Sequence, residues 1–116
     1  MDPTRFAVID PTGEVRVTEA VSPTNQFFAT AYVGWPLQSI NIQAHEDMPA
    51  ATLLCQGPGG DATEVNPIAT KIRGEPVRGI AVLIGPTDGQ GHMADLPDEW
   101  VRVYPGDWSI SDEVAL

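Results

Sequence analysis

The chain has 116 residues, of which 42% are apolar, and this is enough for one domain with a single modest core. With 16 acidic and 6 basic residues the net charge is -10, which argues against direct binding to nucleic acid or to a membrane surface, because Lys and Arg supply much of both affinities. A single cysteine allows no disulfide framework, so we expect a cytoplasmic protein with neither a secretory leader nor a membrane span.

The basic residues are five Arg and one Lys, and Gly and Pro are abundant. This composition is typical of proteins from high-GC bacteria and their phages, although a salt-adapted surface would show the same excess of acid. For a phage-encoded protein, the expected location is the cytoplasm of the host.

The first two predicted strands form a hairpin. Residues 5–9 and 14–19 are rich in β-branched and apolar residues, and the Asp-Pro-Thr-Gly sequence at 10–13 suits a type I turn. A helix over residues 23–33 is predicted next, because a Ser-Pro pair begins it and aromatic residues recur at helical spacing before Gly34.

Two more strands follow this helix. Residues 37–43 alternate between apolar and polar, which indicates a half-buried strand. The continuous apolar run at 51–55 suits a central strand with both faces covered. Residues 56–61 are rich in Gly and therefore predict a loop.

The second predicted helix has clear local signals at both ends. Asn66 supplies an N-cap oxygen, Pro67 suits the first helical position, and Gly74 can take the left-handed conformation that ends a helix. We therefore predict a helix over 67–73. The Val- and Ile-rich segment 79–84 then predicts a buried strand.

The C-terminal third is ambiguous. Residues 97–99 (Pro-Asp-Glu) resemble the first turn of a helix, whereas residues 100–104 alternate as a strand would, and both interpretations remain open. Residues 105–116 are expected to form an acidic tail that is partly docked or loose.

Together these elements predict a single α+β domain over residues 1–104. Its four- or five-stranded sheet is antiparallel or mixed, and the short helices at 23–33 and 67–73 pack on it. A small open β-barrel with helical connections is the second architecture that the pattern allows.

The order of elements carries a family resemblance. A hairpin, a helix ending in Gly, two strands, the Asn-Pro-Ile-Ala-Thr motif at 66–70 and a strand ending in Gly85 follow one another. Over residues 5–86 the chain resembles the uncharacterised domain-of-unknown-function family numbered thirty-eight forty-six. The resemblance implies an accessory protein of phages, plasmids or bacterial genomes and assigns no catalytic residue. The loop at 56–60 and the segment 87–116 depart from the family pattern.

A ligand site is one way to interpret the start of the second helix. Asn66 and Thr70 could present polar groups there, with Gly59 and Gly60 in the preceding loop. The loop has neither the spacing nor the Gly-Lys-Ser/Thr ending of a phosphate loop. A small-molecule or nucleotide-binding module that uses these four residues is the alternative function, and no cofactor is predicted.

Catalytic and metal-binding chemistry is not predicted. Residues 45–47 (His-Glu-Asp), His92 and Asp95 have ligand side chains without a fixed spacing, so solvated loops explain them. The apolar neighbours of Cys55 would raise the pKa of its thiol and leave it inert, so we expect it in the core. A nucleophilic Cys55 paired with His45 or His92 is the least favoured hypothesis.

Acidic and aromatic residues are interleaved in the C-terminal third, a mixture that suits a partner with a basic face. The predicted partner-binding residues are Asp98, Glu99, Trp100, Asp107, Trp108 and Asp112. Trp100 or Trp108 would be a buried anchor and the carboxylates steering charges, while a place in the core remains equally open for Trp108. Trp35, between Gly34 and Pro36, is predicted to lie in the core instead.

Half of the basic residues, Lys71, Arg73 and Arg78, lie within eight positions. We expect Lys71 and Arg73 to complement the C-terminal end of the second helix. With no catalytic constellation, the sequence favours a non-enzymatic accessory protein that binds a protein partner and is compatible with a homodimer. Its acidity suits a DNA-mimic-like inhibitor of a host or defence factor.

Overall fold

The computed structural model describes residues 3–21, 30–44, 48–86 and 94–102. The strands are β1 (Pro3–Ile9), β2 (Val15–Val21), β3 (Leu37–Ile42), β4 (Ala51–Gln56) and β5 (Ala81–Ile84), and the helices are α1 (Thr30–Val33), α2 (Pro67–Arg73) and α3 (Asp98–Arg102). The strands form one open sheet in the order β2-β1-β5-β4-β3, and every neighbouring pair is antiparallel. The predicted α+β domain is confirmed, and the barrel alternative is wrong.

The hairpin of β1 and β2 has the turn that its sequence predicts. The Gly13 N–H donates to the Asp10 carbonyl at 2.9 Å, and the Asp10 carboxylate accepts from the Thr12 N–H at 2.9 Å. Ile9 then pairs with Val15, which sets the register of both strands. The turn orients Asp10 at the end of β1, where it contributes to the site described below.

Strands β4 and β5 lie in the middle of the sheet and are buried on both faces. Leu53 faces a cluster that contains Ala69 of α2 and Trp100 of α3. Leu54 faces the opposite cluster, with Phe6 and others from β1, α1 and β5. Successive side chains of β4 enter cores on opposite faces of the sheet, which explains why its apolar run is continuous and does not alternate with polar residues. Each fully buried aliphatic side chain stabilises the fold by about 1.5–3 kcal/mol.

Helix α2 begins and ends where its local signals predict. The Asn66 Oδ1 accepts from the Ala69 N–H at 3.0 Å, which is the expected N-cap bond. At the other end Gly74 has φ +85°, and its N–H donates to the Thr70 carbonyl at 2.8 Å. Both ends therefore have their orphan backbone groups satisfied, at least in part, by residues within the motif.

Strands β1 to β5 differ from their predicted bounds by no more than two residues at either end, and the larger differences are in α1 and α3. Helix α1 covers only the end of the predicted helix at 23–33, and residues 22–29 lie outside the described part. Strand β5 begins at Ala81 because Gly79, at φ +78°, turns its carbonyl toward Asn66 instead of a strand partner. The ambiguous segment forms a helix, α3, so the strand interpretation of 100–104 is wrong as far as Arg102. The predicted tail at 105–116 lies outside the described residues.

Arg5 of β1 fastens the segment that contains α3 to the sheet. Its backbone N–H donates to the Asp95 carboxylate at 2.9 Å, and its carbonyl accepts from the Leu96 N–H at 2.9 Å. The guanidinium donates to the Leu96 carbonyl and forms an ion pair with Asp98 at 2.5 Å.

In the described ranges no helix has the length and apolar character needed to cross a bilayer.

Candidate functional site

The side chain of Gln56, the last residue of β4, joins two loops. Its Nε2 donates to the Trp35 carbonyl and to the Asp61 Oδ1, both at 3.0 Å. Its Oε1 accepts from the Ala62 N–H at 2.7 Å, and the neighbouring Gly57 N–H donates to the Pro36 carbonyl at 2.7 Å. These bonds order the 34–36 and 57–62 loops against each other outside any helix or strand.

Trp35 is exposed on this bonded loop, and the prediction that it lies in the core is wrong. Its side chain is 63% exposed, and the peptide bond to Pro36 is cis. The turn after Gly34 directs the Trp35 carbonyl toward Gln56, inside the loop cluster, and leaves the indole at the surface. The loop therefore presents a large aromatic side chain from a backbone that is held in place.

An acidic groove lies beside this loop, with a volume of about 470 Å³. Its charged lining consists of Asp10, Asp61 and Glu64, and no Lys or Arg is among the described residues that line it. Tyr32, 36% exposed, also lines it and packs edge-on against Phe6, with ring centroids 5.8 Å apart.

We call this surface the acidic-aromatic face. Its members are Asp10, Tyr32, Trp35, Asp61 and Glu64. Gln56 connects Trp35 to Asp61 because a single amide nitrogen donates to both residues. Besides Tyr32 and Trp35, the large apolar side chain that is exposed in the described part of the chain is Val65, next to Glu64. Tyr32 lines the groove, Trp35 lies on the loop that is bonded to the lining residue Gln56, and Val65 follows the lining residue Glu64. Exposed apolar side chains beside a charged groove are typical of interaction sites.

A second groove, of about 300 Å³, has the opposite charge. Arg73 at the end of α2 and Arg78 in the following loop line it together with the Gly57–Gly60 segment, and we call it the arginine groove. The Arg78 Nη1 donates to the Thr63 carbonyl at 2.8 Å. No Asp or Glu is among its described lining residues, and both grooves share Gln56 and Ala62 as a wall.

The Gly57–Gly60 segment is a tight turn and not a flexible tether. The Gly60 N–H donates to the Gly57 carbonyl at 3.2 Å, with Pro58 and Gly59 between them and Gly59 at φ +90°. This is the residue pattern of a type II turn. A Cβ on Gly60 would overlap the Gln56 side chain, which its three hydrogen bonds hold in place. The predicted ligand residues Gly59 and Gly60 do line the arginine groove.

Asn66 and Thr70 hold the fold together, which corrects the expectation that they face a ligand. Asn66 is fully buried, and its Nδ2 donates to the carbonyls of Ile9 and Gly79 at 2.9 Å each, while its Oδ1 caps α2. The Thr70 Oγ1 accepts from the Val77 N–H at 2.9 Å. Their polar atoms are therefore engaged with the protein's own backbone.

The predicted acidic site in the C-terminal third is only partly described. Asp98 and Glu99 are exposed on α3, and Asp98 pairs with Arg5. Trp100 is 2% exposed and its Nε1 donates to the Pro49 carbonyl at 2.8 Å, so it belongs to the core and cannot serve as a surface anchor. Asp107, Trp108 and Asp112 lie outside the described residues.

Cys55 is buried, as predicted. Burial raises the pKa of its thiol, and the positive charge of Arg73 opposes this shift in part. The neutral thiol is therefore the favoured form at neutral pH, which makes it a poor nucleophile. His45 and His92, its hypothetical partners, lie outside the described residues. Elsewhere in the described chain no group of three or more His, Cys, Asp or Glu side chains is arranged to hold a metal ion.

Sequence reasoning missed the acidic-aromatic face because its members are far apart in the chain. Asp10 comes from the β1–β2 turn, while Asp61 and Glu64 come from the loop before α2. A signal for Trp35 was present, since flanking Gly and Pro residues indicate a turn and turns lie at the surface. The bonds of Gln56 that bring these parts together leave no pattern in the sequence.

Comparison with known proteins adds no relative. No family model, no curated protein and no solved structure matches this chain. The resemblance to the family numbered thirty-eight forty-six therefore stays a prediction.

Proposed function

We propose that this chain is a non-enzymatic accessory protein, of a phage, plasmid or high-GC bacterium, that acts by binding a protein partner through the acidic-aromatic face. The observation that carries the proposal is the exposed indole of Trp35 on a loop that Gln56 and Gly57 hold in place. Aromatic side chains dominate binding energy at protein interfaces, and a held backbone reduces the entropy lost on binding.

The charge of the groove specifies the partner's chemistry. Asp10, Asp61 and Glu64 line it without a basic residue among its described members, and the whole chain carries -10. Complementary potentials raise association rates and discriminate against partners of like charge. The partner that fits is a protein with a basic surface. A surface that otherwise holds nucleic acid fits this description, and in that form of the proposal the protein is a DNA-mimic-like inhibitor of a host or defence factor.

The test begins with capture of the partner. The wild-type protein and the Trp35→Ala variant are immobilised in parallel and exposed to a host lysate at low and at high salt. We expect a basic protein that binds the wild type at low salt, elutes as salt rises, and is depleted on the variant. If the captured partner is a nucleic-acid-binding protein, duplex DNA should compete with the immobilised protein for the partner's basic surface.

Two double variants then locate the steering charges. Asp61→Asn with Glu64→Gln removes two charges from the acidic-aromatic face, whereas Glu75→Gln with Glu99→Gln removes two exposed charges elsewhere. We expect the first pair to slow association and reduce its salt dependence, and the second pair to change neither by as much. A larger effect from the second pair would contradict the proposed face and favour an acidic surface that includes α3.

A further inference from the structure

The arginine groove is the strongest feature that partner binding does not use. Two arginines, Arg73 and Arg78, line one groove together with a glycine turn, in a protein whose net charge is -10. We propose that this groove binds a small molecule that bears a phosphate group. The proposal rests on residues outside the acidic-aromatic face, so either proposal can fail without the other.

The two arginines of the groove form no ion pair with a described carboxylate. Acidic residues outnumber basic ones, 16 to 6, so surface arginines have many available partners. Arg5, by contrast, forms an ion pair with Asp98. Two cations that line a single groove without a carboxylate on its described lining produce a local positive potential, which attracts an anion.

The groove has hydrogen-bond donors that suit a phosphate group. A guanidinium has five N–H donors in a planar fork that matches the oxygens of a phosphate. Arg78 donates one hydrogen bond to the Thr63 carbonyl, which orients the side chain and leaves further donors. The Gly59 N–H, in the turn that lines the groove, donates to no acceptor among the described residues. The volume of the arginine groove, about 300 Å³, is at the lower end of the range for small-molecule sites.

A competing explanation is that the charge of Arg73 only balances the partial negative charge at the C-terminal end of α2. Lys71 is also in the last turn of this helix, but it is exposed and does not line the groove. The two residues therefore separate the explanations. If both residues only balance the charge at the helix end, they have similar roles. A phosphate site in the groove needs Arg73 and does not need Lys71.

The experiment is a titration of ¹⁵N-labelled protein with inorganic phosphate, and with acetate at matched ionic strength, followed by NMR. We expect saturable shifts from phosphate at the amides of Gly57, Gly59 and Gly60. The Gly13 amide, in the β1–β2 turn, serves as the internal control and should not shift. Acetate should cause weaker, unsaturated changes, because it has one charge and two oxygens.

Three single variants complete the test. Arg73→Gln should weaken phosphate binding by about tenfold or more, and Lys71→Gln, which removes the same charge, should leave it unchanged. Arg78→Lys keeps the charge without the fork and should also weaken it, which supplies a second test if Arg73→Gln does not fold. Unsaturated shifts with phosphate, or equal losses for Arg73→Gln and Lys71→Gln, would overturn the proposal.

Discussion

Asn66 contributes more to the fold than a helix cap does. One side chain caps α2 and also donates to the carbonyls of Ile9 and Gly79, so it joins the helix to β1 and to the start of β5. Asn66→Ala removes the cap and leaves two carbonyls without these donors. We expect a loss of about 2–4 kcal/mol in the free energy of unfolding, measured by chemical denaturation.

The matched variant for this position is Asn66→Ser. Serine retains a capping oxygen but is too short to reach both carbonyls, so it should recover about 1 kcal/mol of the alanine loss. The remainder measures the two Nδ2 bonds. If Asn66→Ser restored the full wild-type stability, those bonds would contribute nothing and this account of Asn66 would be wrong.

Cys55 makes a prediction about pH. Burial raises the pKa of its thiol in the folded state above the ordinary value of 9.0, with Arg73 opposing the shift in part. Because the folded state then retains a proton that the unfolded state releases, the stability from this group is present below about pH 9 and is lost as pH rises through the folded pKa.

We therefore expect the free energy of unfolding to fall more steeply above pH 9 for the wild type than for Cys55→Ala. Denaturation curves at several alkaline pH values measure the difference, and the variant corrects for the titration of other groups. Parallel curves for the two proteins would contradict a raised thiol pKa.

At the scale of elements, Arg5 determines how firmly α3 is attached. Its guanidinium bonds the Leu96 carbonyl as well as Asp98, whose side chain is 63% exposed. Arg5→Ala should cost about 1–2 kcal/mol, whereas Asp98→Asn should cost less than about 1 kcal/mol because solvent screens an exposed ion pair. Amide hydrogen exchange at Leu96 and Trp100 measures the loosening directly. Equal effects of the two variants would assign the attachment to the ion pair alone.

Elements with local signals could be predicted from the sequence. Asn66, Pro67 and Gly74 determine both ends of α2, and the Asp-Pro-Thr-Gly turn determines the first hairpin. The burial of Trp100 could not be predicted in this way, because it packs with Leu53 and donates to the Pro49 carbonyl, both distant in the chain. Trp35 is exposed in the turn that its neighbours Gly34 and Pro36 indicate.

For the whole molecule, the distribution of charge could be predicted only as a total. The total is -10, but the fold forms two neighbouring grooves of opposite charge, one lined by Asp10, Asp61 and Glu64 and the other by Arg73 and Arg78, which share Gln56 and Ala62. Gln56 lines both grooves, and its side chain forms hydrogen bonds with Trp35, Asp61 and Ala62. The sequence predicted an acidic, aromatic partner site in the C-terminal third. The structure has a surface of that character at a different place, the acidic-aromatic face.

The central claim is that Trp35 is an anchor for a protein partner. Because its side chain is 63% exposed, Trp35→Ala should remain folded and lose no more than about 2 kcal/mol in the free energy of unfolding, which chemical denaturation measures. A change in binding would then report the interface and not the fold.

The most direct test is the dissociation rate of the captured partner from the wild type and from Trp35→Ala, measured by surface plasmon resonance. An anchor that contributes 2 kcal/mol or more predicts a rate about 30-fold faster for the variant, with little change in association. An unchanged dissociation rate from a folded Trp35→Ala variant would contradict the claim.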